Sequence, residues 1–213
     1  MNARFLTFMT TLLFSLFAFA ADDAFVPLFN GRDFSGWTGD TNAFEIVSGS
    51  GGAEVRSIPM KWGDMYTVGQ YSDFILRFEY LVGEYGNNGI GLRVKYPCRN
   101  ASFDGGFQIV LRDDLAYIGQ ESWRNDASVY GVVASKNSNA RAPDKWNREE
   151  ISLKGGILRI SVNDIEVLSA NLDALSPADG LPHRGLRNRK GHIALLARKS
   201  CTAVRNLEIK ALD

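Results

Sequence analysis

From residue 44 onward, apolar and polar positions alternate with a period of two, the signature of strands whose two faces meet different surroundings. In "DFILRFEYLV" Phe74, Leu76, Phe78 and Tyr80 share one side and Ile75, Arg77 and Glu79 the other. "GFQIVLRDD" sets Phe107, Ile109 and Leu111 against Gln108, Val110 and Arg112. "EEISLKGGILRISVNDIEVL" reads as strands joined by turns at Gly155-Gly156 and Asn163-Asp164, and "GHIALLAR" and "AVRNLEIKAL" form a final pair. Helical periodicity is confined to a short turn in "NLDALSPAD". Many short strands with frequent turn signals and no alternating helices predict an all-β sandwich or jelly roll. No repeat of fixed period and no low-complexity linker interrupts residues 21–213, which read as one domain.

The stretch "NNGIGLRVKY", residues 87–96, turns at Asn87-Asn88-Gly89 and then alternates. Ile90, Leu92 and Val94 are expected on the inner side, with Gly91, Arg93 and Lys95 outside. Polar-out is the ordinary antiparallel pattern and describes a solvated face. Glycines beside an arginine also describe the floor of an open binding surface, with Arg93 exposed upon it.

Residues 1–20 change the picture of the compartment. One basic residue, a short apolar run and Ala18-Phe19-Ala20 make a secretory signal peptide, cleaved after Ala20. The run is shorter than a typical membrane span and contains Thr7, Thr10, Thr11 and Ser15. The mature protein is therefore expected to be exported, periplasmic or extracellular, with no membrane segment after cleavage. The chain holds 24 basic and 24 acidic residues, and the signal carries one of the basic and none of the acidic. That balance excludes a general nucleic-acid binder. In an oxidising compartment the two cysteines, Cys98 and Cys201, suggest one disulfide, with two free thiols as the alternative. Two cysteines and two histidines in no recognisable spacing give no metal motif.

Nucleophile elbow, H-E-x-x-H and P-loop patterns are all missing. What remains is polar residues on non-core strand faces: Arg93, Gln108, Arg112 and Arg198. Asp113 and Asp114 end a strand, as turn formers or as a base or sugar-hydroxyl acceptor. Trp123, Tyr130 and Trp146 lie in loop-rich sequence, to pack beneath loops or to stack on sugar. "HRGLRNRKGH" is a basic run, a solvated loop or an attractor of anionic glycan.

Several landmarks, taken in order, resemble the 3-keto-disaccharide hydrolase family. "FVPLFNGRDFSGW" resembles its opening, and "SDFILRFEY", "NNGIGLR", "GFQIVLRDD", "DKWN" and "GHIALLARKSCTAVRNLEIKAL" follow as its later segments do. The resemblance implies a concanavalin A-like jelly roll of two antiparallel sheets, with Arg93 pointing into a sugar groove on the concave sheet. It implies a carbohydrate ligand, and chemistry on a 3-keto-glycoside: a base removes the proton at C2, the aglycone leaves C1, and water adds. A positive group, or a divalent metal, would serve the ketone oxygen; Arg93 or Arg198 is the candidate group and Asp113 the candidate base. Gln108 stands where the family usually has glutamate, Val110 where it has glutamine, and Leu196 and Arg198 where it ends "LQxH". Gln108 is no carboxylate, so the resemblance leaves two expectations, an enzyme and a non-catalytic glycan-binding module. It also places both cysteines after strands of one sheet, implying a Cys98–Cys201 bridge at one end of the groove.

Overall fold

The computed structural model describes residues 24–136, 138–198 and 200–212; the expected signal peptide lies outside them. Among the described residues there is no α-helix, only strands and five 3-10 turns. The strands are β1 (Val26–Pro27), β2 (Trp37–Gly39), β3 (Phe44–Gly49), β4 (Gly52–Ser57), β5 (Gly63–Thr67), β6 (Phe74–Val82) and β7 (Asn87–Val94). They continue as β8 (Phe107–Arg112), β9 (Asn147–Lys154), β10 (Ile157–Val162), β11 (Ile165–Asn171), β12 (His192–Ala197) and β13 (Thr202–Ala211).

They pair antiparallel into two sheets. The larger runs β11-β10-β9-β6-β13-β4-β3, with β1 added beside β13; the smaller runs β2-β5-β12-β7-β8. The predicted all-β sandwich of two antiparallel sheets is the fold. The core lies between the sheets. Phe74, Leu76 and Phe78 of β6 and Ile151 and Leu153 of β9 face Met65, Ile90, Leu92, Ile109, Ile193 and Leu195 from the smaller sheet. Burying one face of each strand also sets the register, because a one-residue slip would turn that whole face to water.

The strand β7 departs from strict alternation. Opposite β12, Val94 pairs with His192 and Gly91 with Ala194, so Leu92 and Arg93 together oppose a single residue. This is a β-bulge, and Arg93 takes the left-handed backbone it requires, φ 48°. Beyond the bulge the alternation is reset. Val94, expected inside with Ile90 and Leu92, lies on the outer face with Ala194, Leu196, Tyr66 and Ala101.

The bulge also overturns the expected place of Arg93. Its side chain is wholly buried at one end of the sandwich, not exposed on a groove floor. Nε donates to the Ser72 carbonyl (2.7 Å), Nη1 to the Gly155 and Asn188 carbonyls (2.7 and 3.1 Å), and Nη2 to Asp73 Oδ1 (2.9 Å). Asp73 Oδ1 also accepts from the Gly155 amide, and Asn188 Nδ2 returns a bond to the Arg93 carbonyl (3.0 Å). One guanidinium thus ties the entry to β6, the β9–β10 turn and the segment before β12.

The expected disulfide is absent: Cys98 and Cys201 are free thiols. Cys98 sits over the outer face of the smaller sheet, its sulfur 4.0 Å from the Tyr66 hydroxyl. Cys201 immediately precedes β13 in the larger sheet, its carbonyl accepting from the Gly83 amide. Burial raises the pKa of both thiols.

Replacing Arg93 with alanine strands Asp73 and three carbonyls. Breaking a buried ion pair costs about 3–5 kcal/mol, and the partial exposure of Asp73 places the expected loss near the lower end. Urea unfolding of Arg93→Ala reads this directly, and Arg93→Lys should recover little because an ammonium cannot reproduce the fork. Thiol titration of the unfolded, unreduced protein should find both cysteines reactive.

Candidate functional site

A cavity of about 280 Å³ opens at the β7–β8 end of the smaller sheet, near the lower bound of the ~300–1,000 Å³ usual for small-molecule sites. Its floor is Gln108 on the outer face of β8. Tyr117, Arg124 and Tyr130 form one wall, Trp62 and Arg198 another, and Asn100, Ser102 and Phe103 a third. Tyr85 and Asn87 complete the rim.

Each wall has a local reason. The Tyr130 segment adds backbone bonds to the free edge of β8: Ala127 N to Val110 O, Val110 N to Ser128 O, and Tyr130 N to Gln108 O. Arg198 is delivered by Asn88, whose Oδ1 accepts from the Arg198 amide (2.7 Å). Asn88 Nδ2 meanwhile binds Thr202 Oγ1, Ser200 O and Ser57 Oγ. Arg198 Nη1 then binds Asp64 Oδ1 (2.5 Å) and its neighbour's carbonyl.

Gly89 and Gly91 do not clear open floor, as the sequence suggested. A Cβ on Gly89 would fall 2.4 Å from Gln108 Nε2, and one on Gly91 would fall 3.0 Å from Ala194 Cβ and from a Val94 methyl. The first glycine lets the Gln108 side chain lie across β7, where Nε2 donates to the Asn88 carbonyl (3.0 Å). The second admits the apolar cover formed by Val94, Tyr66 and the segment 95–106. That cover fills the middle of the outer face and leaves the cavity at its end.

Of the residues expected to contact substrate, Gln108, Tyr130 and Arg198 line the cavity. Trp123 stands behind, edge-on to Tyr130 with ring centres 5.3 Å apart. Arg112 is buried beneath the wall, binding Asp114, Gln120 and Asn125 and packing under the Tyr117 ring at 4.9 Å. Asp113 is not placed as a base: its oxygens accept from the Leu115 and Tyr85 amides (3.2 and 3.1 Å), which is turn formation. Trp146 lies on the larger sheet with the Arg205 guanidinium 4.0 Å over its ring, far from Gln108 in the topology. Neither histidine lines the cavity: His183 binds Asp179 and His192 binds the Thr67 carbonyl.

Sequence reasoning passed over Trp62, Tyr85, Tyr117 and Arg124. The only signal for the first two was an aromatic ring in turn sequence. Among the described residues lining the cavity, none is a carboxylate or histidine. Nor do three His, Cys, Asp or Glu residues gather anywhere among them as a metal would need, so the residues present do not fit a divalent ion.

The Tyr130 wall hangs from a buried acid. Asp126 accepts from Tyr80 Oη (2.6 Å) and the Arg112 amide (2.9 Å), while its own amide binds Asp114. Glu149 of β9 reaches the same region of the core, and neither of its oxygens has a partner among the described residues. Desolvation raises Asp126 to about 7, against the bonds from Tyr80 and Arg112. Desolvation, then the charge of Asp126, holds Glu149 well above the ordinary carboxylate range. Asp114, also raised by burial, is the remaining acid nearby.

A two-sheet antiparallel sandwich with an aromatic and polar cavity on its smaller sheet is a jelly-roll-type architecture. The chain belongs to the 3-keto-alpha-glucoside-1,2-lyase-like domain family, whose profile matches residues 24–210. It is 24% identical to a 3-keto-disaccharide hydrolase of Bacteroides thetaiotaomicron, over 90% of this chain and 79% of that one. Its fold is similar to that of a putative glycosyl hydrolase from Parabacteroides distasonis, TM-score 0.74 at 20% identity, over 90% of this chain and 95% of that one. It is also similar to the carbohydrate-binding module CBM66 of Bacillus subtilis, TM-score 0.54 at 13% identity, over 83% and 96%. The protein is thus carbohydrate-active in kind and 3-keto-disaccharide hydrolase-like.

Both buried acids bind a proton more tightly folded than unfolded, so their contribution to stability is greatest in acid. It falls as pH rises from the ordinary carboxylate value towards about 7. Glu149→Met removes an unpartnered polar group whose burial costs about 1–3 kcal/mol. Urea titrations should find the variant more stable than wild type, by a margin that widens between about pH 5 and pH 8.

Proposed function

We propose that the protein binds a glycoside in the Gln108–Tyr130–Arg198 cavity as a non-catalytic glycan-binding member of its family, exported by the segment 1–20. The observation that carries this reading is the composition of the lining: rings, amides, hydroxyls and guanidiniums, with no carboxylate or imidazole among its described residues. Such a surface orients a sugar well. Rings of Trp62, Tyr85, Tyr117 and Tyr130 offer apolar faces, while Gln108, Asn87 and Asn100 offer paired donors and acceptors. The Gln108 amide is held by the Asn88 carbonyl, so its Oε1 is the group free to accept from a sugar hydroxyl.

A second reading, hydrolysis by elimination from a 3-keto-glycoside, is favoured by the relative named a hydrolase and by one pair in the cavity. Arg124 Nη1 approaches the Tyr130 hydroxyl at 3.5 Å. Tyr130 would take the C2 proton and pass it to the aglycone oxygen as that group leaves C1, with Arg198 facing the ketone oxygen; water would then add across the double bond, hydroxyl to C1 and proton to C2.

Calorimetry and product analysis with one 3-keto-disaccharide and its unoxidised parent separate the readings. Saturable binding without product is expected. Gln108→Ala should weaken it by about 0.5–1.5 kcal/mol, the worth of one neutral hydrogen bond, and leave the unfolding midpoint nearly unchanged. Turnover abolished by Tyr130→Phe would establish the enzyme instead.

A further inference from the structure

The glycan-binding reading can be carried to a class of ligand, because the cavity is unequal in its hydrogen-bonding character. Arg198 and Arg124 both line it. Across the wall formed by Asn100 and Phe103 lies a second cavity, of about 290 Å³, which shares those two residues and adds Arg99 and Arg184. The two spaces together present four guanidiniums, and Asp104 is the one carboxylate on their described lining.

The counter-charges stand mostly behind the arginines. Asp64 holds Arg198 through Nη1, Glu121 holds Arg124 through Nε at 3.1 Å, and Asp104 holds Arg184 at 3.2 Å. These contacts fix the planar groups without using up their five donors. Arg198 keeps Nε and Nη2, and Arg124 keeps Nη2, without a partner among the described residues. Exposed Arg99 forms no ion pair among them.

Hydroxyls of a neutral sugar donate as well as accept and can be met by the amides and hydroxyls of the lining, but the open guanidinium edges only donate. A carboxylate or sulfate only accepts, matches a guanidinium edge with two oxygens, and brings the opposite charge. Resting on the glycan-binding reading, we propose that the ligand is an acidic saccharide, whose anionic substituents meet the open edges of Arg198 and Arg124. Its next unit crosses the Asn100–Phe103 wall towards Arg99 and Arg184. The basic run that begins at His183 contributes through Arg184, at the far end of this path.

Calorimetry of the full mature protein with three tetrasaccharides tests the proposal: a neutral β-glucan, an oligogalacturonate and a chondroitin sulfate fragment, each at low and high salt. At least one acidic probe should bind tenfold or more tightly than the neutral one, with affinity falling as salt rises. Tighter binding of the oligogalacturonate shows that carboxylates suffice, and tighter binding of the chondroitin sulfate fragment that sulfate adds to them. Arg124→Gln and Arg198→Ala should each cut acidic binding about tenfold, the equivalent of about 1.4 kcal/mol, and so narrow the ratio of acidic to neutral affinity. Arg124 is the less buried of the two, so its variant carries the test if Arg198→Ala fails to fold. Equal affinity for neutral and acidic probes overturns the acidic preference and leaves glycan binding standing. Acidic binding indifferent to both substitutions places the contact elsewhere and also overturns it. No binding of any probe refutes the glycan-binding reading, and this proposal with it.

Discussion

One buried guanidinium sets the terms for the rest of the molecule. Two curved sheets meet along their length through apolar side chains, but their ends must be closed by loops whose carbonyls cannot all pair with one another. Arg93 closes one end by donating to three such carbonyls and to Asp73. It reaches them only because the bulge turns its side chain out of the β7 pleat, and the bulge in turn resets Val94 to the outer face. From there Val94, Ala194, Leu196 and Tyr66 form the seat of the segment 95–106, which confines the cavity to the end of the sheet. End closure and cavity placement are two results of one backbone irregularity.

The cavity is otherwise a product of segments that borrow order from the sandwich. The Tyr117–Tyr130 wall gives only Ala127 and Val129 to the core. It is held by edge pairing to β8, by the Arg112 fork, and by Asp126 reaching inward to Tyr80. A wall held by polar bonds to a rigid scaffold keeps its aromatic rings available, since none is consumed in packing the sheets.

The sandwich itself was legible because alternation is a direct consequence of burying one strand face; β6, β8 and β9 to β13 fall where the pattern puts them. Arg93 was not legible, because a bulge leaves no compositional mark and a polar residue at the expected outward position is what a solvated strand also shows. Its glycine neighbours misled for a related reason: glycine marks close approach of something, and the sequence does not say whether that is ligand or protein. For Gly89 it is the Gln108 side chain. Gln108 and Arg198 reach the cavity because they lie on or beside strands whose outer faces the alternation gives, while Tyr130, offered only as an aromatic in loop sequence, is brought there by pairing to the edge of β8. Trp62, Tyr85, Tyr117 and Arg124 sit in turns, where no period assigns a side. Asp113 was ambiguous from the start, and two backbone amides decide it for the turn.

Glu149 carries a consequence for the molecule as a whole. The chain's formal charge is zero when every carboxylate is counted as ionised. A glutamate sealed in the core with no hydrogen-bond partner among the described residues holds its proton to higher pH than an exposed one, and Asp126 does so up to about 7. The folded protein is therefore more cationic than its composition states, and its isoelectric point lies higher than that of the same chain unfolded. Migration in a native focusing gel and in a urea gel would differ, although no residue has been changed.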